Sequence, residues 1–500
     1  MSIYYCSTLH DTQPPQGPET VRCTLAHLRE IEFSPGDEIL LERGSRFQGE
    51  SLHLTNVHGT SDKPVTIGCY GDPDLPKPAI ECNGAGQWHE DYRAPIGGSP
   101  HRNHGTVSTA LLLRDCSHIW VHDLEITNRR TDDADGMRFN DLDVMDRTGV
   151  AVIAENAGTT RDITLQRLDV HDVDGNVYDK HMANGGIYCI AHFPEDPARI
   201  RTDIARFDGI RIVDNHVRNT SRWGIAVGYT AYLNMIDHGG RDADGNWNNT
   251  FDYGDGTIDD ELIRTYGATN VLVEGNTVEH AGGDAITVMY CDRPIVRRNV
   301  SREAAAQICD EIYTATGNDK VAAAIWPWRC KNALFELNEA YDTLNADRGN
   351  GDGQAWDADY GDGTTYRHNY SRNNSGGCVM FCNEKAVRSS FHHNVSDRDR
   401  MGAIDIPRKP DASIACNTFI IAEDANPLRL DRADGVATIR GNIFVNAGAA
   451  PKHADWHPEG SHVTYDENIY LGFATNPEND AKQSATSLTY ESKNTVAQGI

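Results

Sequence analysis

The chain has 500 residues, of which 39% are hydrophobic, and its formal net charge is −28. Such an acidic chain is not expected to bind nucleic acid or an anionic membrane surface, because both interactions need basic patches. No stretch approaches the roughly 20 apolar residues of a membrane span, and the first residues lack the regions of a signal peptide. We therefore expect a cytoplasmic protein if the N-terminus is native, and an extracellular one if the chain is a trimmed form of a longer protein.

The first predicted element is an N-terminal cap over residues 1–35. Residues 21–30 are typical of a short helix, which would cover the open end of a repeat array. The first coil is expected to begin within residues 35–41, and the repeat domain to span 36–475. Long insertions are expected at about 84–108, 230–265 and 302–320, and the polar residues 476–500 are predicted to form a tail that packs on the surface.

A short motif recurs along the repeat domain, in which an alternating strand, an Asn and a second alternating strand follow one another. Its tight intervals are 23 to 25 residues, and the Asn residues are Asn215, Asn276, Asn299, Asn338, Asn369, Asn394, Asn417 and Asn442. Asn tolerates the left-handed turn conformation, and stacked Asn side chains can bond one coil to the next. The pattern predicts an all-β protein, a right-handed parallel β-helix (solenoid) with a short N-terminal capping helix and long loop insertions. A β-propeller is the alternative, but its blades need four strands and a longer period.

A second type of strand follows each Asn motif. Aligning these strands predicts an inward row of Ile187, Ile225, Ile286, Ile325, Trp356, Cys378 and Ile404. Because successive strand residues face opposite sides, the predicted outward row is Tyr188, Trp326, Trp328, Asp357, Asp359, Phe381 and Asp405. Aromatic faces stack on sugar rings and carboxylates do acid–base work, so this outward face is the predicted site.

Four carboxylates lie within residues 352–362, namely those of Asp352, Asp357, Asp359 and Asp362. Asp357 and Asp359 are two residues apart on one strand, so about 6.5–7 Å should separate their Cα atoms. Asp352 precedes that strand and can fold back over its end. Carboxyl groups about 5–5.5 Å apart suit a retaining glycoside hydrolysis, whereas about 6.5–9.5 Å suits inversion. Repulsion within the cluster should raise one carboxyl pKa and provide an acid beside a carboxylate. The spacing does not choose the catalytic pair.

These residues resemble the β-helix lacto-N-biosidases of glycoside hydrolase family 136, which carry two catalytic Asp residues seven positions apart, as Asp352 and Asp359 are. The resemblance implies hydrolysis of a β-linked lacto-N-biose unit from an oligosaccharide with retention, with Asp352 as the acid/base and Asp359 as the nucleophile. With the outward row it gives a predicted substrate-binding set of Asp357, Gln354, Trp326, Trp328, Tyr360, Tyr188, Asp405 and Phe381.

Three other functions stay open. Residues 282–286, GGDAI, echo the strand of pectin hydrolases but lack its second Asp. A calcium-dependent polysaccharide lyase would need a metal loop, and residues 242–253 place Gly at the fourth position rather than the sixth. A non-catalytic carbohydrate-binding β-helix is the third.

The expected partner is an oligosaccharide substrate, and the oligomeric state is left open. The 21 His residues form no zinc spacing and the 12 cysteines, none of them in a CxxC pair, are interpreted as reduced core residues. We expect no metal site and no cofactor, with calcium kept as the alternative.

Overall fold

The computed structural model describes residues 1–9, 20–91, 104–130, 145–175, 184–237, 252–308, 321–344, 352–382, 385–406, 411–429, 436–456 and 462–480. Across these residues the chain winds through three long parallel sheets, and each coil adds one strand to every sheet in turn. The predicted parallel β-helix is therefore confirmed. Among the helices of the described part, none has both the length and the apolar character needed to cross a membrane.

The first sheet holds sixteen strands. They are β1 (Ile3–Cys6), β2 (Thr20–Arg22), β3 (Glu38–Glu42), β6 (Val65–Tyr70), β10 (Ile119–His122), β13 (Thr159–Gln166), β16 (Arg206–Val213), β19 (Ala268–Glu274), β22 (Cys291–Asp292), β23 (Ile295–Arg297), β26 (Leu334–Glu336), β29 (Thr365–Arg367), β32 (Ser389–His392), β35 (Asp411–Ala415), β38 (Val436–Arg440) and β40 (His462–Asp466).

The second sheet holds thirteen strands. They are β4 (Arg46–Gln48), β7 (Ala79–Glu81), β11 (Glu125–Asn128), β14 (Asp169–Val173), β17 (His216–Thr220), β20 (Thr277–Ala281), β24 (Val300–Arg302), β27 (Glu339–Tyr341), β30 (Tyr370–Arg372), β33 (Val395–Asp397), β36 (Thr418–Ile421), β39 (Ile443–Asn446) and β41 (Ile469–Leu471).

The third sheet holds twelve strands, in which only β8 pairs antiparallel among the described residues. They are β5 (Leu52–Thr55), β8 (Gln87–Asp91), β9 (His104–Arg114), β12 (Asp146–Ala154), β15 (Gly185–Ala191), β18 (Trp223–Thr230), β21 (Ile286–Met289), β25 (Ile325–Trp328), β28 (Gln354–Asp357), β31 (Gly377–Met380), β34 (Gly402–Asp405) and β37 (Asn426–Arg429). The helices are α1 (Leu25–Leu28), α2 (Ala231–Asp237), α3 (Asp260–Tyr266) and one 3-10 turn at Pro197–Arg199.

The predicted Asn residues form a continuous ladder at the turn between the first and second sheets. Each donates its backbone N–H and its side-chain amide to the side-chain oxygen of the Asn one coil on, over distances of 2.8–3.1 Å. The ladder extends through Asn468 and ends on the carboxylate of Asp480. These amides are buried, so the ladder satisfies groups that would otherwise be costly inside the core.

The left-handed residue of each turn is the one that precedes the Asn. Asp214, Leu337 and His393 have φ values of 55°, 58° and 57°, and Gly275 has 70°. The expectation that the Asn itself adopts this conformation was therefore wrong. Its side chain instead bonds coil to coil, while the residue in front of it turns the chain.

The N-terminal cap differs from the prediction in its secondary structure. Residues 20–22 form β2, and the helix is confined to Leu25–Leu28, where Thr24 accepts a hydrogen bond from the His27 N–H as the N-cap. Leu25 and Leu28 are buried against the core. β1 and β2 extend the first sheet beyond β3, so the first sheet begins within the first six residues.

The outer face of the third sheet is covered by a second set of buried apolar residues, which we name the outer apolar cluster. It consists of Val107, Leu112, Ala151, Ile153, Tyr188, Ile190, Trp223, Ala226, Tyr229, Leu233, Ile258, Ile263, Met289, Tyr290, Ala323 and Trp326. Leu233 belongs to α2 and Ile263 to α3, so the insertion after β18 folds back over this sheet. Residues 242–251 of the segment compared with a calcium loop, residues 309–320 and the tail after 480 lie outside the described residues.

Candidate active site

The predicted inward row of the third sheet is correct at six of its seven positions. The register joins Ile187, Ile225, Ile286, Ile325 and Trp356 in consecutive coils, and then Val379 and Ile404. Val379 therefore takes the place predicted for Cys378. The outward row beside it runs through Thr287, Trp326, Asp357, Met380, Asp405 and Arg429.

The one-residue shift at β31 corrects the prediction for Phe381. A slip of one position exchanges the two faces of a strand, so Phe381 points into the core, where it is fully buried. It is not available to a substrate on the outer face. The same shift moves Met380 into the outward row and places Cys382 on the outer side.

Three side chains converge at the end of β28. One ligand atom each from Asp357, Asp359 and Cys382 lies within 4.8 Å of the others, and both carboxylates are buried. The negative charge of Asp352 also acts on the Cys382 thiol. Burial raises the pKa of the Cys382 thiol well above its usual range, and the negative charges of Asp359, Asp357 and Asp352 raise it further. The thiol also forms a hydrogen bond with Asp359. Two of the predicted carboxylates, those of Asp357 and Asp359, thus lie beside the Cys382 thiol, and the charge of Asp352 also acts on it.

Among the described residues, Asp357, Asp359 and Cys382 form the group of side chains that could hold a metal ion. Two carboxylate oxygens and one sulfur suit a borderline ion such as zinc, which accepts mixed oxygen and sulfur ligands. Calcium takes six to eight oxygen ligands and does not favour sulfur. The donor set therefore fits calcium poorly.

The backbone around the carboxylates is fixed from both sides. The hydroxyl of the buried Tyr366 donates to the Asp357 carbonyl at 2.8 Å, and the Arg329 N–H donates to the Asp359 carbonyl at 3.1 Å. A Cβ on Gly376 would lie 2.2 Å from the Asp352 carbonyl, so the turn that carries Asp352 needs glycine there. The cluster is consequently pre-organised by the scaffold.

Aromatic rings line one side of the carboxylate cluster. Trp328 pairs with Asp359 in the sheet, and its ring centroid lies 5.3 Å from that of Tyr360. Tyr253, from the long insertion, packs against Tyr360 at 4.4 Å, and Arg329 stacks over Tyr253 at 4.8 Å. Trp328 and Tyr360 keep part of their surface exposed, so they can present a ring face to a sugar.

Polar side chains occupy the other side of the cluster. The Gln354 amide nitrogen lies 3.5 Å from a carboxylate oxygen of Asp405, and an Arg429 nitrogen lies 3.3 Å from the same oxygen. Asp405 and Arg429 are both nearly inaccessible to solvent. Arg429 therefore offsets one negative charge of this acidic face.

Tyr188 does face outward, as predicted, but it is not near the carboxylates. It is fully buried in the outer apolar cluster and lies four strands from Asp357 in the ladder. At about 4.8 Å per strand, this corresponds to roughly 19 Å. Trp326 is the neighbour of Asp357 in the row and is itself buried.

Several site residues were missed by the sequence analysis. Met380 and Cys382 follow from the alternation once the register of β31 is correct, so a better alignment of that strand would have found them. The position of Arg429 beside Asp405 follows only from the register between β34 and β37. Tyr253 comes from an insertion more than a hundred residues before Tyr360, and no sequence period connects the two.

No family model matches the chain. The lacto-N-biosidase of Bifidobacterium longum subsp. longum is 45% identical over 512 residues, which cover 96% of this chain and 31% of that protein. The crystal structure of a GH136 lacto-N-biosidase from Eubacterium ramulus is 40% identical with a TM-score of 0.78, covering 89% of this chain and 68% of that chain. Its selenomethionine derivative is 39% identical with the same TM-score, covering 89% and 67%. The chain thus spans about a third of the curated relative and two thirds of the solved chains.

Proposed function

The chain belongs to glycoside hydrolase family 136, and from this premise we propose that it hydrolyses a β-linked lacto-N-biose unit from an oligosaccharide with retention of configuration. The observation that carries the proposal is the convergence of Asp357, Asp359 and Cys382 on one point, beside partly exposed aromatic rings and within reach of the charge of Asp352. The partner is a neutral oligosaccharide, which an acidic protein surface does not repel.

In the proposed reaction Asp359 attacks the anomeric carbon while Asp352 gives a proton to the departing glycosidic oxygen. The glycosyl–Asp359 ester is then hydrolysed by a water that loses its proton to Asp352. Asp357 and the Cys382 thiol both lie beside Asp359, where they form hydrogen bonds to the sugar or hold the Asp359 carboxylate in place. Trp328 and Tyr360 stack on the sugar, and Gln354 and Asp405 take its hydroxyls. No metal or organic cofactor takes part.

Substitution of each carboxylate by its amide tests the roles. Asp352→Asn should lower kcat/KM on lacto-N-tetraose by about 10²–10⁴-fold, the range of general acid–base catalysis. It should keep turning over an aryl β-lacto-N-bioside, whose leaving group needs no proton. Azide should then give the β-glycosyl azide with Asp352→Asn and the α-glycosyl azide with Asp359→Asn.

Asp357→Asn is the matched control, because Asp357 lies in the same cluster and has no covalent or proton-transfer role in the proposal. It should lower kcat/KM by about 10- to 100-fold, as expected for one hydrogen bond to a charged group, and azide should rescue nothing. An α-azide from Asp357→Asn would transfer the nucleophile role to Asp357. Full activity of all three variants would contradict the proposal, and an unsaturated product absorbing in the ultraviolet would indicate a lyase.

A further inference from the structure

A buried ion pair lies directly behind the outward row. Asp284, in the turn before β21, is fully buried, and one of its carboxylate oxygens accepts hydrogen bonds from the indole N–H of Trp326 at 2.9 Å and from the Ala323 N–H at 3.1 Å. Arg222 is also fully buried; its Nη2 lies 3.7 Å from the other Asp284 oxygen and donates to the Val321 carbonyl at 3.0 Å. Both ions therefore hold the segment that leads into β25.

The local sequence is adapted to this pair. A Cβ on Gly283 would lie 2.7 Å from the Nε of Arg222, and a Cβ on Gly282 would lie 1.8 Å from the Ser221 carbonyl oxygen. Both glycines are therefore required for the close approach of the Asp284 turn to the Arg222 segment. This explains residues 282–286, GGDAI, which the sequence analysis left as a partial echo of the pectin hydrolases.

A buried ion pair is a poor way to gain stability. Removing two charges from water costs several kcal/mol per ion, and apolar residues of the same volume often serve as well. The surroundings are apolar, since Trp223, Ala323 and Trp326 belong to the outer apolar cluster. A pair of ions in this position is better explained by the specificity of its contacts. One of these contacts is the hydrogen bond from the indole of Trp326, a residue of the outward row.

We propose that Asp284, held by Arg222, is a positioning residue that fixes the buried indole of Trp326 beside Asp357 and behind Trp328, the partly exposed ring that stacks on the sugar. Trp326 precedes Asp357 in the ladder of the third sheet by one coil, and its ring lies 6.2 Å from that of Trp328 at 78°. Anchoring the indole N–H selects one of the ring orientations that the Trp326 side chain could adopt, so the surface on which the Trp328 ring packs is constant. The inference rests on the proposed function, because a fixed Trp326 matters for catalysis only if a sugar binds along this row.

A double-mutant cycle on an aryl β-lacto-N-bioside tests the proposal. Trp326→Phe removes the donor and Asp284→Asn removes the charge that accepts from it. Each single variant should lower kcat/KM on the order of tenfold, as expected for a hydrogen bond to a charged group, and the loss should lie mainly in KM. The double variant should be no worse than Trp326→Phe to within about twofold. Asp399→Asn, which changes another fully buried carboxylate, is the matched control and should leave kcat/KM unchanged.

An equal loss from Asp284→Asn in the wild-type and Trp326→Phe backgrounds would show a merely structural role and overturn the inference. If Trp326→Phe leaves kcat/KM unchanged while Asp352→Asn and Asp359→Asn are impaired, this inference falls and the proposed function stands. If none of these variants affects turnover, the proposed function falls with it.

A second measurement applies should Asp284→Asn fail to fold. In ¹⁵N-tryptophan-labelled protein, the indole resonance that disappears in Trp326→Phe should exchange slowly with solvent and shift when lacto-N-biose is added. An indole proton that exchanges as fast as that of an exposed tryptophan would overturn the inference.

Discussion

Asp399 is a buried carboxylate in the core that should make the stability of the fold depend on pH. It is 1% exposed and lies just after β33. One oxygen accepts from the hydroxyls of Ser371 at 2.5 Å and Ser396 at 2.7 Å, and the other accepts from the backbone and side-chain nitrogens of Asn374 at 2.9 and 2.7 Å. An amide at this position can keep all four bonds, because the two hydroxyls can also accept. Asp399→Asn is therefore the perturbation.

The magnitude follows from the pKa of this carboxyl, which burial raises from 3.8 to about 6. Because the folded state holds this proton more tightly than the unfolded chain, the contribution of Asp399 to folding stability is greatest below about pH 4 and falls as the pH rises to about 6. Above that pH the full cost is present, and the shift corresponds to about 3 kcal/mol. Asp399→Asn removes this cost, so it should stabilise the protein by about 3 kcal/mol at pH 7 and have little effect near pH 4.

Urea unfolding followed by circular dichroism between pH 4 and pH 8 measures the difference in unfolding free energy between variant and wild type. Other titrating groups cancel in this difference because both proteins contain them. Asp424→Asn, at an exposed position of the next coil, is the matched control for removing one negative charge from the protein surface. A difference that stays constant from pH 4 to pH 8, or a variant that is less stable at pH 7, would refute the linkage argument.

Four further predictions follow from the same contacts. Cys382 should react much more slowly with iodoacetamide at pH 8 than the exposed Cys416, because its raised pKa leaves little thiolate; equal labelling in a peptide mass map would contradict this. Incubation with EDTA should leave turnover of lacto-N-tetraose unchanged, and a loss restored by added zinc or calcium would establish a metal requirement. Asn338→Ala should lower the unfolding free energy by about 2–3 kcal/mol, since Asn299 and Asn369, its buried partners on the two neighbouring coils, lose the bonds to its side chain; an unchanged urea midpoint would disprove the ladder's contribution. Phe381→Ala should lower the unfolding free energy by about 3–5 kcal/mol, because Phe381 is a core residue, and it should leave KM unaltered in the folded protein. A raised KM with unchanged stability would show that Phe381 lies on the outer face.

The sequence predicted the scaffold well because the same local pattern is repeated in every coil. Alternation placed Ile225, Ile286 and Ile325 in one inward row, and the Asn repeat located the turn between two sheets. The failure at β31 has a local cause. Gly377 is followed by Cys378 and Val379, both of which fit the core, so the apolar pattern did not distinguish the two registers.

The candidate site was predictable only in part. The carboxylates of Asp352, Asp357 and Asp359 lie close in the sequence, and their proximity needed no knowledge of the fold. Contacts made through insertions, such as Tyr253 on Tyr360, are specified by tertiary packing. Asp284 was noticed in a motif, but its bond to Trp326 joins two coils and could not be read from either one.

The most direct test of the central claim is the configuration of the sugar first released. Lacto-N-tetraose should be incubated with the protein in an NMR tube and the anomeric protons followed before mutarotation sets in. The proposal predicts that β-lacto-N-biose appears first and the α anomer follows slowly. Initial release of the α anomer would contradict a retaining mechanism at the Asp352–Asp359 cluster, and no cleavage at all would reject the lacto-N-biosidase proposal.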